Sequence, residues 1–157
     1  MDADRLAHRN GQPTEVIRVG RLLYGADAFV TGWVTSRIGF FSGQLVGIGI
    51  LDRDCRKMIA GVTYNNYGPK HLIEASIASD DPSWASPAVL RGLFAYPFID
   101  LGVRRLQTTC AIDATGTKNF NERLGFTLEG VMREGWPLGG DAYHFSMLRH
   151  ECRWIKD

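Results

Sequence analysis

The sequence predicts an α/β (α+β) fold in which a central mixed, mostly antiparallel sheet is flanked by helices. Three observations predict it. Short apolar runs of β-formers recur at 44–51, 57–65, 71–79, 104–112, 126–134 and 141–149. Segments with helical spacing interrupt them in the second half of the chain. Eighteen glycines, many between the apolar runs, suit tight turns better than a helical bundle. The length of 157 residues and 45% hydrophobic content fit one domain, 1–157, with a single core.

Residues 1–14 are polar and contain Gly11 and Pro13. They read as a loose start or as an edge element that pairs after Pro13. The stretch 15–23 alternates briefly and carries no firm assignment. From Ala26 to Ile38 the spacing of Phe29, Trp33, Val34 and Ile38 places them on one helical face, although Gly32 and the β-branched residues lower the propensity. The runs 44–51 and 57–65 flank the polar segment Asp52–Arg56 and form a hairpin. After a turn at Asn66–Lys70, the strand 71–79 alternates Leu72, Glu74, Ser76 and Ala78 on one face with Ile73, Ala75, Ile77 and Ser79 on the other.

Ser86 followed by Pro87 is a helix start, with an N-cap hydroxyl and a proline at the first helical position. Val89, Leu90, Leu93 and Phe94 give that helix an apolar face, and Pro97 kinks or ends it. The next strand is 104–112. A short helix, 115–124, ends at Gly125, which suits the left-handed position after a helix. The strands 126–134 and 141–149 close the chain around Pro137, Gly139 and Gly140. The middle strand, crossover helix and strand favour one parallel pair. Function in such units lies where the strand passes into the helix, here between Ser79 and Ala88.

The formal net charge is +1, which gives no basis for strong nonspecific binding to nucleic acid or membrane. The three cysteines form no CxxC pair, and the four histidines are scattered without metal-ligand spacing. No metal is expected. The N-terminal stretch has no apolar signal region, and no run reaches membrane-spanning length. A soluble cytoplasmic protein is the expectation, as a monomer or homodimer.

The last third, "GVRRLQTTCAIDATGTKNFNERLGFTLEGVMREGWPLGGDAYHFSMLRHE", resembles the GCN5-related N-acetyltransferase superfamily. Within it, the text is most similar to the branch of ribosomal-protein N-terminal acetyltransferases. "LGVRRLQTTC", "NERLGFTLEGVMRE" and "GDAYHFSMLRHE" carry the resemblance. It implies an acyl-CoA N-acyltransferase-like fold, acetyl-CoA as cofactor, and an amine-bearing protein or small molecule as acceptor. The alternatives are a noncatalytic fold relative that binds a partner, and an acyltransferase using another acyl donor.

The resemblance also implies where the cofactor would lie. Its glycine-rich phosphate loop aligns with "WASPAVLRG", where Ala85 and Pro87 stand in place of glycines. The amides of Trp84, Ala85, Ser86 and Ala88, with the Ser86 hydroxyl, remain as an anion site; the other reading is a plain loop and helix cap. Asp80 and Asp81 would oppose phosphate if they pointed inward. Backbone groups of Ser76, Ile77 and Ala78 would hold the pantetheine arm. Ala114 occupies the position of a family Asn, and Thr117 aligns with a hydroxyl contact. Thr117 equally suits a hydroxyl bonded to its own helix backbone.

For chemistry, Glu74 is the candidate general base, directly or through water, because it is a lone carboxylate within an apolar strand. Its other reading is a solvent-facing residue or a partner of Lys70 or Arg105. Tyr143 is the candidate donor to the leaving thiolate or contact to substrate; an aromatic on a strand also suits packing. Tyr143 and His144 must point to opposite faces. Trp33, Phe40, Phe41 and Trp136 would line an acceptor groove, or serve as core or dimer contacts. Cys110 reads as a small core residue.

Overall fold

A computed structural model of the chain describes residues 15–40 and 46–156. The expectations for residues 1–14, for Phe41 and for the first two residues of the strand at 44 lie outside the described residues.

Along the chain come β1 (Ile17–Val19), β2 (Leu22–Tyr24), α1 (Asp27–Ile38), β3 (Val46–Leu51), β4 (Met58–Gly68) and β5 (Leu72–Ser79). They are followed by α2 (Pro87–Ala95), β6 (Arg105–Ala111), α3 (Thr115–Leu124), β7 (Thr127–Met132) and β8 (Ala142–Leu148). One eight-stranded sheet runs β1-β2-β3-β4-β5-β6-β8-β7. Every neighbouring pair is antiparallel except β5 and β6, which are parallel, as the strand–helix–strand order requires. The segment 15–23 resolves into a hairpin of two three-residue strands, too short for alternation to register in the sequence.

Both faces of the sheet are used. Ile48, Ile50, Val62, Tyr64, Ile73, Leu106, Phe145 and Met147 point to one side. There they form the main core with Leu90, Leu93 and Phe94 of α2 and with Leu124 and Phe126. Tyr64 donates its hydroxyl to the Leu93 carbonyl at 2.7 Å, which pins α2 to that face. On the opposite face, Val30 and Val34 of α1 pack over Ala78.

That second contact corrects the expected helical face. Phe29 is 63% exposed, while Val30 and Val34 are buried and Trp33 and Ile38 only partly so. The reason lies in the floor beneath. Gly47, Gly49 and Gly61 present bare backbone to α1, and a Cβ on Gly47 would stand 2.7 Å from Val30 Cβ. A small β-branched pair fits so close an approach; an aromatic ring does not.

α2 starts as expected, with the Ser86 hydroxyl accepting from Val89 N at 3.4 Å and Pro87 in the first turn. Pro97 does not simply end it. The helix widens into a π-helical turn over Tyr96–Asp100, in which Leu101 N donates to Tyr96 O at 3.0 Å. Proline has no N–H to continue the tighter ladder, and burial of Tyr96, Pro97 and Phe98 keeps the turn in place. α3 ends at Gly125 (φ 109°), and Trp154 Nε1 donates to the Leu124 carbonyl at 2.9 Å.

Candidate active site

The ladder between β5 and β6 is short. It pairs Leu72 with Arg105, Ile73 with Leu106 and Glu74 with Gln107, and then stops. β5 continues to Ser79 and β6 to Ala111, so the two strands part into a fork. Just above the apex, Thr108 Oγ1 donates to Ala75 O at 2.9 Å. Ser76, Ile77, Ala78 and Ser79 stay paired to β4, but on the β6 side this arm of the fork has no strand partner among the described residues. An extended chain of amides placed there would meet unpaired backbone groups.

The α2 and α3 N-termini follow the two prongs, with the loop 80–86 after one and the turn 112–114 after the other. In the first loop much of the donor capacity is already spent. Trp84 N donates to Asp81 O at 3.3 Å, and Ser86 N to Trp84 O at 3.0 Å. Ser83 N donates to Asp81 Oδ1 at 2.8 Å, and the Ser86 hydroxyl caps its own helix. Among the described residues, the amides of Ala85 and Ala88 alone remain free of those proposed for an anion. The Trp84 side chain is buried, with its ring 5.6 Å from that of Phe120 on α3.

The acidic residues of this loop do not point into the fork. Asp80 forms a two-point pair with Arg37 of α1, Nε–Oδ1 and Nη2–Oδ2 both at 2.8 Å, and this pairing holds its carboxyl below the usual range. The backbone and side-chain hydrogen bonds of Ser83 hold Asp81 low in the same way. Two features here leave no signal in the sequence. No side chain caps α3, whose N-cap is Ala114, so the first-turn amides of Gly116 and Thr117 are open donors beside the exposed Thr117. Arg21, from the β1–β2 turn, lines a groove with Ser86, Ala88 and Arg91. It donates through Nε to Leu51 O at 2.9 Å, while its Nη2 is buried with no partner among the described residues.

Glu74 stands at the apex of the fork, half-buried, on the α1 face of the sheet. It pairs with neither Lys70 nor Arg105. Gln107 Nε2 donates to its Oε1, and Asn66 Nδ2 donates to the same oxygen at 3.2 Å. Arg105 instead holds Glu129, Nη1 to Oε1 at 2.7 Å, and the pairing keeps the Glu129 carboxyl below its usual range. Glu129 lies on this face by alternation with Thr127, whose cross-strand partner is Ser146, and the bulge that follows keeps Gly130 on the same side, opposite His144. Arg105 Nη2 also lies 3.0 Å from His144 Nε2. A guanidinium only donates, so that nitrogen accepts and the proton of a neutral His144 sits on Nδ1.

Tyr143 is on the other face. Its ring meets Phe145 at 6.3 Å and the Lys118 ammonium at 5.6 Å, against the main core. The two residues assigned to acid–base work are therefore separated by the sheet. Cys110, the cross-strand neighbour of Tyr143, is buried, and burial raises its thiol pKa, in keeping with a core role. Of the aromatic groups assigned to the acceptor, Phe40 and Trp136 meet edge-on at 5.2 Å, which joins the end of α1 to the β7–β8 loop. Trp33 does not join them; the Arg37 guanidinium covers its ring at 3.4 Å. Among the described residues no cluster of three His, Cys, Asp or Glu side chains has metal-binding geometry. No helix among them is long and apolar enough to cross a membrane.

No family model matches the sequence, and no curated protein matches it. Solved structures do match. A GCN5-related N-acetyltransferase from Brucella melitensis superposes with a TM-score of 0.64 at 18% identity, over 87% of this chain and 80% of that one. The chain has the GCN5-related N-acetyltransferase fold. A ribosomal-protein-S5-alanine acetyltransferase from Vibrio fischeri matches at TM-score 0.61 and 13% identity, over 89% of this chain and 98% of that one. A probable acetyltransferase matches at TM-score 0.57 and 21% identity over 68% of this chain, which spans 63% of the other protein's length. At these identities the likeness is one of fold. The acetyltransferase fold nevertheless agrees with the forked parallel pair and with the order of elements that the last third of the sequence implied.

Proposed function

We propose that this protein transfers an acetyl group from acetyl-CoA to a primary amine of a protein or small molecule. The observation that carries this reading is the fork between β5 and β6 with a carboxylate at its apex. The unpartnered β5 arm at Ser76–Ser79 suits the amide-bearing pantetheine arm. The free amides of Ala85 and Ala88, the uncapped start of α3 with Thr117, and the Arg21 cation suit its phosphates. When bound, acetyl-CoA supplies the thioester carbonyl and the thiolate leaving group.

The rest of the chemistry belongs to this chain. An ammonium acceptor has no lone pair, so it must lose a proton before attack. Glu74 takes that proton on Oε2, directly or through one water, because Oε1 is already engaged. N–H groups on the open β5 arm donate to the carbonyl oxygen as it gains charge. Tyr143, across the sheet from Glu74, is assigned to the thiolate side of the fork. Phe40 and Trp136 border the acceptor's approach. The fold neighbour named for ribosomal-protein S5 alanine supports a protein N-terminus as one acceptor class.

Calorimetric titration with acetyl-CoA is the test, followed by release of CoA thiol in the presence of amines. Binding with thiol release is expected. Glu74→Gln should lower turnover roughly 100-fold or more, the usual scale of general-base catalysis. A second reading, a noncatalytic binding protein of this fold, is favoured by the Trp84–Phe120 packing and the spent amides of the loop. Absence of binding at millimolar acetyl-CoA by folded protein would select it. Another acyl donor would show itself by mass spectrometry of copurified ligand.

A further inference from the structure

Two donors meet Glu74 Oε1, Asn66 and Gln107, and the Gln107 branch has a fixed hydrogen-bond direction that starts at Arg105. That guanidinium is anchored by Glu129, with Nη1 to Oε1 at 2.7 Å and Nη2 to Oε2 at 3.3 Å. The Ser146 hydroxyl also donates to Glu129, so the anchor is fixed from both β7 and β8. Arg105 Nε then donates to Gln107 Oε1 at 2.9 Å. With its oxygen claimed by a group that cannot accept, the Gln107 amide has a single usable orientation. Its Nε2 must face Glu74, where it donates to Oε1.

We propose that Gln107 is a positioning residue for Glu74. It fixes the rotation of the carboxylate so that Oε1 is held and Oε2, which has no partner among the described residues, is presented to the acceptor amine. Arg105 is the part that orients Gln107. This inference rests on the reading of Glu74 as the base. The floor is only half-buried at Gln107 and Glu74, so water could satisfy both groups if orientation served no purpose. The directed chain from Glu129 through Arg105 and Gln107 removes that freedom. A displacement of about 1 Å at a reacting group can cost on the order of 100-fold in rate.

A double-mutant cycle tests it. Turnover is read as CoA thiol release, with the best primary amine from a panel of peptides with free N-termini and polyamines. Gln107→Leu should lower kcat about tenfold or more, with KM for acetyl-CoA and amine within about twofold. The isosteric Gln107→Glu keeps an acceptor for Arg105 but loses the donor, and should lose at least as much; thermal melts establish that both variants fold. In a Glu74→Gln background, Gln107→Leu should add nothing, because there is no base left to orient. Native kcat in either Gln107 variant, or a full multiplicative loss in the Glu74→Gln background, overturns the proposal. If Glu74→Gln itself keeps native kcat, the base assignment falls and the positioning role falls with it. If Glu74→Gln is impaired and Gln107→Leu is not, the positioning role alone falls. The contact itself can be probed without turnover. By NMR, exchange of the Gln107 side-chain amide protons should be at least tenfold faster in Glu74→Ala than in the native protein, and equal rates overturn the contact.

Discussion

Asp27 shows how one side chain can carry a pH signature. It opens α1, and its Oδ1 accepts from Gly47 N at 3.1 Å, tying the helix to β3. Burial is the larger influence and raises its pKa, while the Gly47 hydrogen bond offsets part of the rise. The folded protein therefore holds this proton more tightly than the unfolded chain. Its contribution to stability is present below the ordinary carboxylate range and is lost as pH rises through the raised value. Asp27→Asn keeps the acceptor and removes the charge. Between pH 4 and 7, the melting temperature of the native protein relative to Asp27→Asn should fall as pH rises. A difference independent of pH would refute the assignment. Glu74 is also a lone carboxylate, but its partners are neutral amides and the proposed consequence there is catalytic.

Glycines decide how α1 sits on the sheet. Gly47 lies against Val30 Cβ, a stem atom that cannot rotate away, with a would-be contact of 2.7 Å. Gly47→Ala should cost about 1–3 kcal/mol through overpacking, read as a lower urea midpoint with unchanged slope. Gly32 is the control within the same pairing. It is exposed in the middle of α1, and a Cβ there would meet nothing within 4 Å. Gly32→Ala should stabilise by about 0.5–1 kcal/mol, since only the entropy of the glycine backbone is lost. A destabilised Gly32→Ala would argue against this seating of the helix.

At the level of the entire chain, the fork is a cost of the fold as well as its proposed use. Two strands part after three paired residues, leaving backbone groups that a continuous sheet would satisfy. A ligand that fills the opening binds the folded state alone and must raise stability. With acetyl-CoA at about 100 times its Kd, the gain is about 2.7 kcal/mol. For a chain of this size that corresponds to a melting shift of roughly 5–10 °C, measured by a thermal melt with and without ligand. A melting temperature indifferent to saturating acetyl-CoA would remove the cofactor reading.

Local chemistry made much of this legible from the residues in order. Ser86-Pro87 announced a helix start, Gly125 a helix end, and the strand–helix–strand order a parallel pair, because each rests on torsions and neighbours a few residues apart. Glu74 stood out as a carboxylate in an apolar run for the same reason. Its surroundings were not legible. Gln107 lies thirty-three residues away, and Glu129 joins only because β7 and β6 both flank β8, which brings it to Arg105, 24 residues distant. The glycine floor turned α1 onto Val30 and Val34 instead of Phe29, and Arg37 drew Asp80 away from the fork. Periodicity assigns a side chain to a face, but which groups meet there depends on strand register and on the direction of hydrogen bonds, and both are set by pairings between distant segments.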